Sequence, residues 1–136
     1  VEMREEVGEE NIFIFGLRAD EVNTMRSEDT YKPWRFYEEN PNVQRVVDTL
    51  NSTLFCPDEP GLFEWIYETL TTQDPYFHLA DFQSYIDAQE AVGQLYLQPE
   101  VWAEKAILNT ARMGKFSSDR TITQYAREIW GVSSIL

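Results

Sequence analysis

The sequence predicts a mainly α-helical chain with one or two short β-strands. Three observations carry that expectation. Apolar residues recur at helical spacing in stretch after stretch. Prolines and capping residues stand where those stretches begin. Only one continuous apolar run, within Asn11-Ile12-Phe13-Ile14-Phe15-Gly16, has the length of a strand. The chain has 136 residues, which suits one domain and a real core.

The run at 11–16 does not alternate, so it is expected as a strand buried on both faces and ended by glycine. Asp20 is placed to cap a short helix carrying Val22 and Met25. Lys32-Pro33-Trp34 is expected to break regularity, because proline restricts the residue before it. Asn40 as cap and Pro41 at the first helical position mark a clear helix start. Val43, Val46, Val47 and Leu50 then give that helix one apolar face. Cys56-Pro57-Asp58-Glu59-Pro60-Gly61 is a loop.

Leu62, Phe63, Ile66, Tyr67 and Leu70 recur at helical spacing until Asp74-Pro75. Phe77-His78-Leu79-Ala80 is expected as the second short strand. Asp81 then caps a helix with Phe82, Tyr85, Ile86, Val92 and Tyr96 on its apolar side. Pro99 opens a helix carrying Trp102, Ala106 and Met113, stopped by Gly114 in the left-handed conformation. Ser117 or Ser118 caps the last helix, whose stripe is Ile122, Tyr125, Ala126, Ile129 and Trp130, with Gly131 ending it. A strand buried on both faces needs neighbours, and about three strands are normally required for stability. The run at 11–15 therefore points to one strand of a larger α/β sheet, or to strands pairing across a homodimer.

Eleven basic and 24 acidic residues give a net charge of −13. The balance is −6 over residues 1–40, −9 over 41–100 and +2 over 101–136. Such a chain is not built to neutralise phosphates, which argues against nucleic acid as a partner. No stretch approaches the roughly 18 apolar residues of a membrane span. The single cysteine, Cys56, excludes an internal disulfide framework and fits a reducing, cytoplasmic setting. The chain opens Val1-Glu2-Met3-Arg4-Glu5-Glu6, with neither a signal peptide nor an initiator methionine, as a piece of something longer would.

The chemistry on offer is sparse. His78 is the only histidine and has no marked partner for base catalysis or metal binding. Acidic neighbours Asp58 and Glu59 argue against a reactive thiolate at Cys56. The doublets Glu5-Glu6, Glu9-Glu10 and Glu38-Glu39 supply carboxylates, but adjacent helical residues point apart. Lys115-Phe116-Ser117-Ser118-Asp119-Arg120 has the makings of a phosphate site at a helix start, or simply of a cap with charged neighbours. Trp34, Trp65, Trp102 and Trp130 lie in or beside apolar helical faces and are expected as core or contact residues.

The sequence resembles the α-glucan phosphorylases nearly end to end. The resemblance rests on Val1-Glu2-Met3, Gly8-Glu9-Glu10-Asn11, Ile12-Phe13-Ile14-Phe15-Gly16, Phe36-Tyr37, Pro60-Gly61-Leu62-Phe63 and Ala80-Asp81-Phe82. Its most specific stretch is Gly114-Lys115-Phe116-Ser117-Ser118-Asp119-Arg120-Thr121-Ile122, continued by Tyr125-Ala126-Arg127-Glu128-Ile129-Trp130-Gly131. It implies a larger enzyme of two Rossmann-like domains, with residues 1–136 forming the C-terminal segment of the second, cofactor-side domain. That enzyme transfers a terminal glucosyl unit of an α-1,4-glucan to orthophosphate, giving glucose 1-phosphate, with pyridoxal phosphate on a lysine. No catalytic, cofactor-binding or metal residue of the family matches a position here, and Lys32, Lys105 and Lys115 lie in no matching motif. The segment is therefore expected to be structural and inactive alone, without bound cofactor. Its partner is the remainder of the phosphorylase chain, and in isolation it is expected to self-associate. The competing expectation is an independently folded helical scaffold or interaction module.

Overall fold

The computed structural model describes residues 2–133. The helices are α1 (Glu2–Val7), α2 (Ala19–Ser27), α3 (Pro33–Glu39), α4 (Pro41–Leu50), α5 (Glu64–Thr72), α6 (His78–Tyr96), α7 (Pro99–Arg112) and α8 (Ser118–Glu128). Short 3₁₀ turns at Glu9–Asn11 and Met113–Phe116 complete the regular structure. The described residues form two units. One comprises residues 15–89, the other the residues up to 14 and from 90 onward.

The expected strands are absent among the described residues, which are all-α, and no Rossmann-like sheet is present. At 12–15 the chain does leave helical geometry, with Ile12 at φ −139° and ψ 140°. Among the described residues no second strand pairs with it, and a strand without a ladder is only an extended loop. Instead of being buried on both faces, Phe13, Ile14 and Phe15 are exposed. At 77–80 the chain turns into α6 because Asp74 sits just before it. The Asp74 carboxylate accepts from the backbone N–H of His78 (3.0 Å) and Leu79 (2.8 Å), which starts the helix there.

In the unit of residues 15–89, α3, α4 and α5 pack together. Val43, Val47 and Leu79 form its core, surrounded by half-buried Phe36, Tyr37, Tyr67, Leu70 and Phe82. The Asn40 side chain caps α4 by accepting from Asn42 N–H (3.0 Å) and Val43 N–H (3.4 Å), with Pro41 at the first position, as the sequence indicates. Pro33 likewise opens α3 rather than breaking the chain, since its missing N–H would have had no partner in a first turn. Asp20 lies inside α2, not at its cap; Glu21 accepts from Arg18 N–H instead (2.7 Å).

Asp81, expected as the cap of α6, is within that helix and has another task. It accepts from Leu17 N–H (2.7 Å), while Ser84 Oγ accepts from Gly16 N–H (2.5 Å). Gly16 has φ +87°, and a Cβ there would lie 2.7 Å from the Asp81 carboxylate, so the turn demands glycine.

In the other unit, α1 and the following turn lie on α7. Gly114 sits inside a 3₁₀ turn without a positive φ, so it does not act as the left-handed stop. Ser117 caps α8 by accepting from Arg120 N–H (3.3 Å), and Gly131 at φ +62° follows its end, as expected.

Candidate functional site

The phosphate-like cluster is the first place to test. Lys115, Ser117 and Arg120 do come together, but each is already engaged. Lys115 Nζ pairs with Glu6 Oε1 at 2.5 Å. Ser117 Oγ is the cap of α8. Arg120 Nε donates to Lys115 O (2.5 Å) and its Nη1 to Gln124 Oε1 (3.2 Å). The arrangement is a helix start braced by charges. The acidic doublets are similarly occupied: Glu6 by Lys115, Glu9 by Arg4 (3.6 Å) and Glu39 by Arg35 (3.2 Å). Among the described residues no group of His, Cys, Asp and Glu is arranged to hold a metal ion. His78 is exposed at the first turn of α6, its ring 5.7 Å from that of Tyr76. Cys56 is a free, half-buried thiol.

A cavity of about 480 Å³ opens in the unit built on α7. Its walls are Ile12, Phe13, Leu95, Trp102 and Ala106, with Lys105 and Asn109 as polar members. Trp102 is held edge-on against Tyr96, ring centroids 5.2 Å apart. Both polar side chains face main-chain acceptors: Lys105 Nζ donates to Glu10 O, and Asn109 Nδ2 to Asn11 O (2.5 Å). The site offers apolar surface and no free nucleophile, acid or base.

The most perturbed chemistry is elsewhere and gave no signal in the sequence. Asp74 is fully buried in the unit of residues 15–89 and carries φ +32°. Tyr31 donates to its Oδ2 at 2.5 Å, beside the two backbone donors of α6. Burial first, and the neighbouring carboxylate second, push the Tyr31 phenol far above its usual range. Tyr31 stacks on Phe77 (centroids 4.1 Å apart), and the Arg26 guanidinium lies 5.2 Å from the Phe77 ring centre. Tyr37 is also held protonated, chiefly by its 2.6 Å hydrogen bond to Asp48 Oδ1. Tyr31 and Asp74 line an open cavity of about 410 Å³ with Arg26 and Phe77, but the Asp74 carboxylate is already taken up by Tyr31 and the start of α6, so their role is structural.

The dominant surface property is apolar exposure. Trp65, Trp130, Ile107 and Leu97 are 65%, 60%, 66% and 73% exposed. The stripe of the last helical segment, Ile122, Tyr125, Ile129 and Trp130, is exposed throughout rather than buried. The chain presents 10486 Å² to solvent. Two separate globules of half its mass would together present only about 8,900 Å². No described helix is long and apolar enough to cross a membrane.

A sequence profile of the carbohydrate phosphorylases matches residues 1–132. Over 136 residues the chain is 49% identical to a glycogen phosphorylase of Synechocystis sp., covering 100% of this chain and 16% of that protein. It is 47% identical over 132 residues to the muscle form of glycogen phosphorylase from Bos taurus, and 46% identical over 132 residues to the brain form from Rattus norvegicus. Each of these covers 97% of this chain and 16% of the relative. The chain thus spans about a sixth of the length of the curated relatives it matches.

Proposed function

This chain belongs to the carbohydrate phosphorylase family, and from that premise we propose that it is a structural segment of an α-1,4-glucan phosphorylase. In this reading it is the C-terminal portion of the cofactor-side domain. The whole enzyme is a glycosyltransferase that moves a terminal glucosyl unit from glycogen or maltodextrin to orthophosphate, releasing glucose 1-phosphate in the cytoplasm. The observation that carries the reading is 46–49% identity along the chain to proteins of which it covers only 16%. The exposed apolar side chains support it, because surface of that kind is covered in obligate contacts.

Pyridoxal phosphate supplies proton transfer to the substrate phosphate when bound in such an enzyme. The residues present here do not fit it. The cofactor needs a lysine free to form a Schiff base, and all three lysines are engaged: Lys32 with Asp29 (2.7 Å), Lys115 with Glu6 (2.5 Å) and Lys105 with the Glu10 carbonyl. No step of the reaction is therefore assigned to this segment. Its contribution is scaffold and contact surface.

The test is complementation. The chain is purified alone, and also co-expressed with a relative's phosphorylase lacking the matching sixth. Alone, with glycogen and phosphate, it is expected to give no glucose 1-phosphate, and no Schiff-base absorbance on adding pyridoxal phosphate. Together, the two pieces are expected to copurify and to restore phosphorolysis. Activity or a stable Schiff base in the isolated chain overturns the reading, as does failure of the pieces to associate. The buried Val43–Val47–Leu79 core is also what an independent helical module would need. A monomeric, cooperatively melting chain that ignores the truncated relative would favour that alternative.

A further inference from the structure

We propose that Lys105, Asn109 and Arg112 form a latch holding residues 7–11 as a strap across α7, and that this strap opens as a local unit. The three side chains lie at i, i+4 and i+7, and so share one face of α7. Each donates to a main-chain carbonyl of the strap: Arg112 Nη1 to Val7 O (2.8 Å), Lys105 Nζ to Glu10 O, and Asn109 Nδ2 to Asn11 O (2.5 Å). These carbonyls close α1 and the turn after it, where a short helix leaves its last acceptors without backbone donors. The strap reinforces itself through Asn11, whose Nδ2 donates to Val7 O (2.8 Å) and Glu10 Oε1 (2.8 Å).

Beyond the latch, the strap is secured by one buried apolar side chain. Among the described residues of this unit Val7 and Asn11 are the buried ones, and both belong to the strap. The Lys115–Glu6 pair is half-exposed, so water and salt weaken it. A five-residue segment with one buried apolar side chain, held otherwise by donors at a helix surface, belongs to the low-stability end of a fold. The strap and the residues after it supply Asn11, Ile12 and Phe13 to the cavity facing Trp102 and Ala106. Releasing it removes that wall and uncovers the apolar face of α7.

Native-state hydrogen exchange on the 136-residue chain tests the latch. The probes are the amides of Gly8 and Asn11, which donate to Arg4 O and Gly8 O. Arg112→Met and Asn109→Ala are each expected to speed their exchange about tenfold, equivalent to about 1.4 kcal/mol. Amides inside α7 and α4 are expected to keep their rates. Arg112→Lys is expected to recover part of the protection, and Glu6→Gln to leave it unchanged. The proposal fails if Gly8 and Asn11 exchange at the unprotected rate in the unaltered chain. It also fails if neither variant changes them, or if α7 accelerates in parallel, since opening would then be unfolding of the whole unit.

Discussion

Replacing Asp74 with alanine should damage this chain more than any change at its exposed aromatics, although the side chain lost is small. Three effects coincide there. The carboxylate that starts α6 is removed, and losing a helix cap typically costs about 1 kcal/mol. The Tyr31 hydroxyl, donating at 2.5 Å in a buried site, loses its acceptor, which costs about 1–3 kcal/mol. The backbone at φ +32° is one that Asp and Asn tolerate and alanine resists by about 1–2 kcal/mol. The effects share atoms, so the net loss expected is about 3–5 kcal/mol, a large part of the roughly 5–15 kcal/mol of a typical domain. Asp74→Asn keeps the backbone preference and one acceptor, and should lose only about 1–2 kcal/mol. Urea unfolding followed by circular dichroism reads both values, at about 1–3 kcal/mol per molar urea. The alanine variant should lower the midpoint by about 2 M, or be unfolded from the start, with the asparagine variant in between. If the alanine midpoint fell by less than about 0.5 M, or asparagine were as harmful as alanine, the node would not be the support described here.

Tyr31 also sets an alkaline limit. Its phenol is raised in the folded chain, so above about pH 10 the unfolded chain loses a proton that the native one keeps. Tyr31 should then contribute a fall of about 1.4 kcal/mol per pH unit, and Tyr31→Phe should make the slope between pH 10 and 11.5 shallower by about that amount; equal slopes would refute the assignment. On α4, Val47→Ala should cost about 2 kcal/mol while Val46→Ala stays near neutral, because Val47 is buried and Val46 exposed. Thermal melting distinguishes them. Trp130→Ala should shift the isolated chain's stability by less than about 0.5 kcal/mol, and that of the complemented enzyme by about 3–5 kcal/mol if the contact buries the ring. Size-exclusion chromatography over a concentration series should show association of the isolated chain, suppressed when the truncated relative is present.

Helix starts with their instructions on adjacent residues were legible in the sequence. Asn40-Pro41 fixes α4 and Ser117 fixes α8, because a cap and its first free N–H groups are neighbours by construction. The start of α6 was not legible, because its acceptor stands four residues earlier in a left-handed turn, and only the fold brings Tyr31 to it. The run Ile12–Phe15 departs from its expected strand for a different reason. Apolar content signals burial against something, whereas a strand needs a partner backbone, and periodicity carries no information about that partner. The candidate phosphate cluster showed the same limit: Glu6, which occupies Lys115, is 109 residues away. The Tyr31–Asp74 node escaped altogether, since a lone tyrosine and an Asp-Pro pair look like ordinary loop residues until they meet.

Local and non-local instructions also part company in α8. Ser117 caps its first turn, and Gly131 follows its end in the left-handed region. Those signals fix where the helix begins and ends. Ile122, Tyr125 and Ile129 then repeat at three and four residues, which in a self-contained domain would mark the face turned inward. Here that face is exposed. A helix whose ends are specified by its own residues, and whose apolar side has no cover among the described residues, has half of its instructions addressed to another surface. Charge adds little to that demand. Over Ser118–Glu128 the two arginines, Arg120 and Arg127, are matched by Asp119 and Glu128, so the helix itself is neutral. A surface that receives α8 is therefore expected to offer an apolar groove, with no net charge required of its rim.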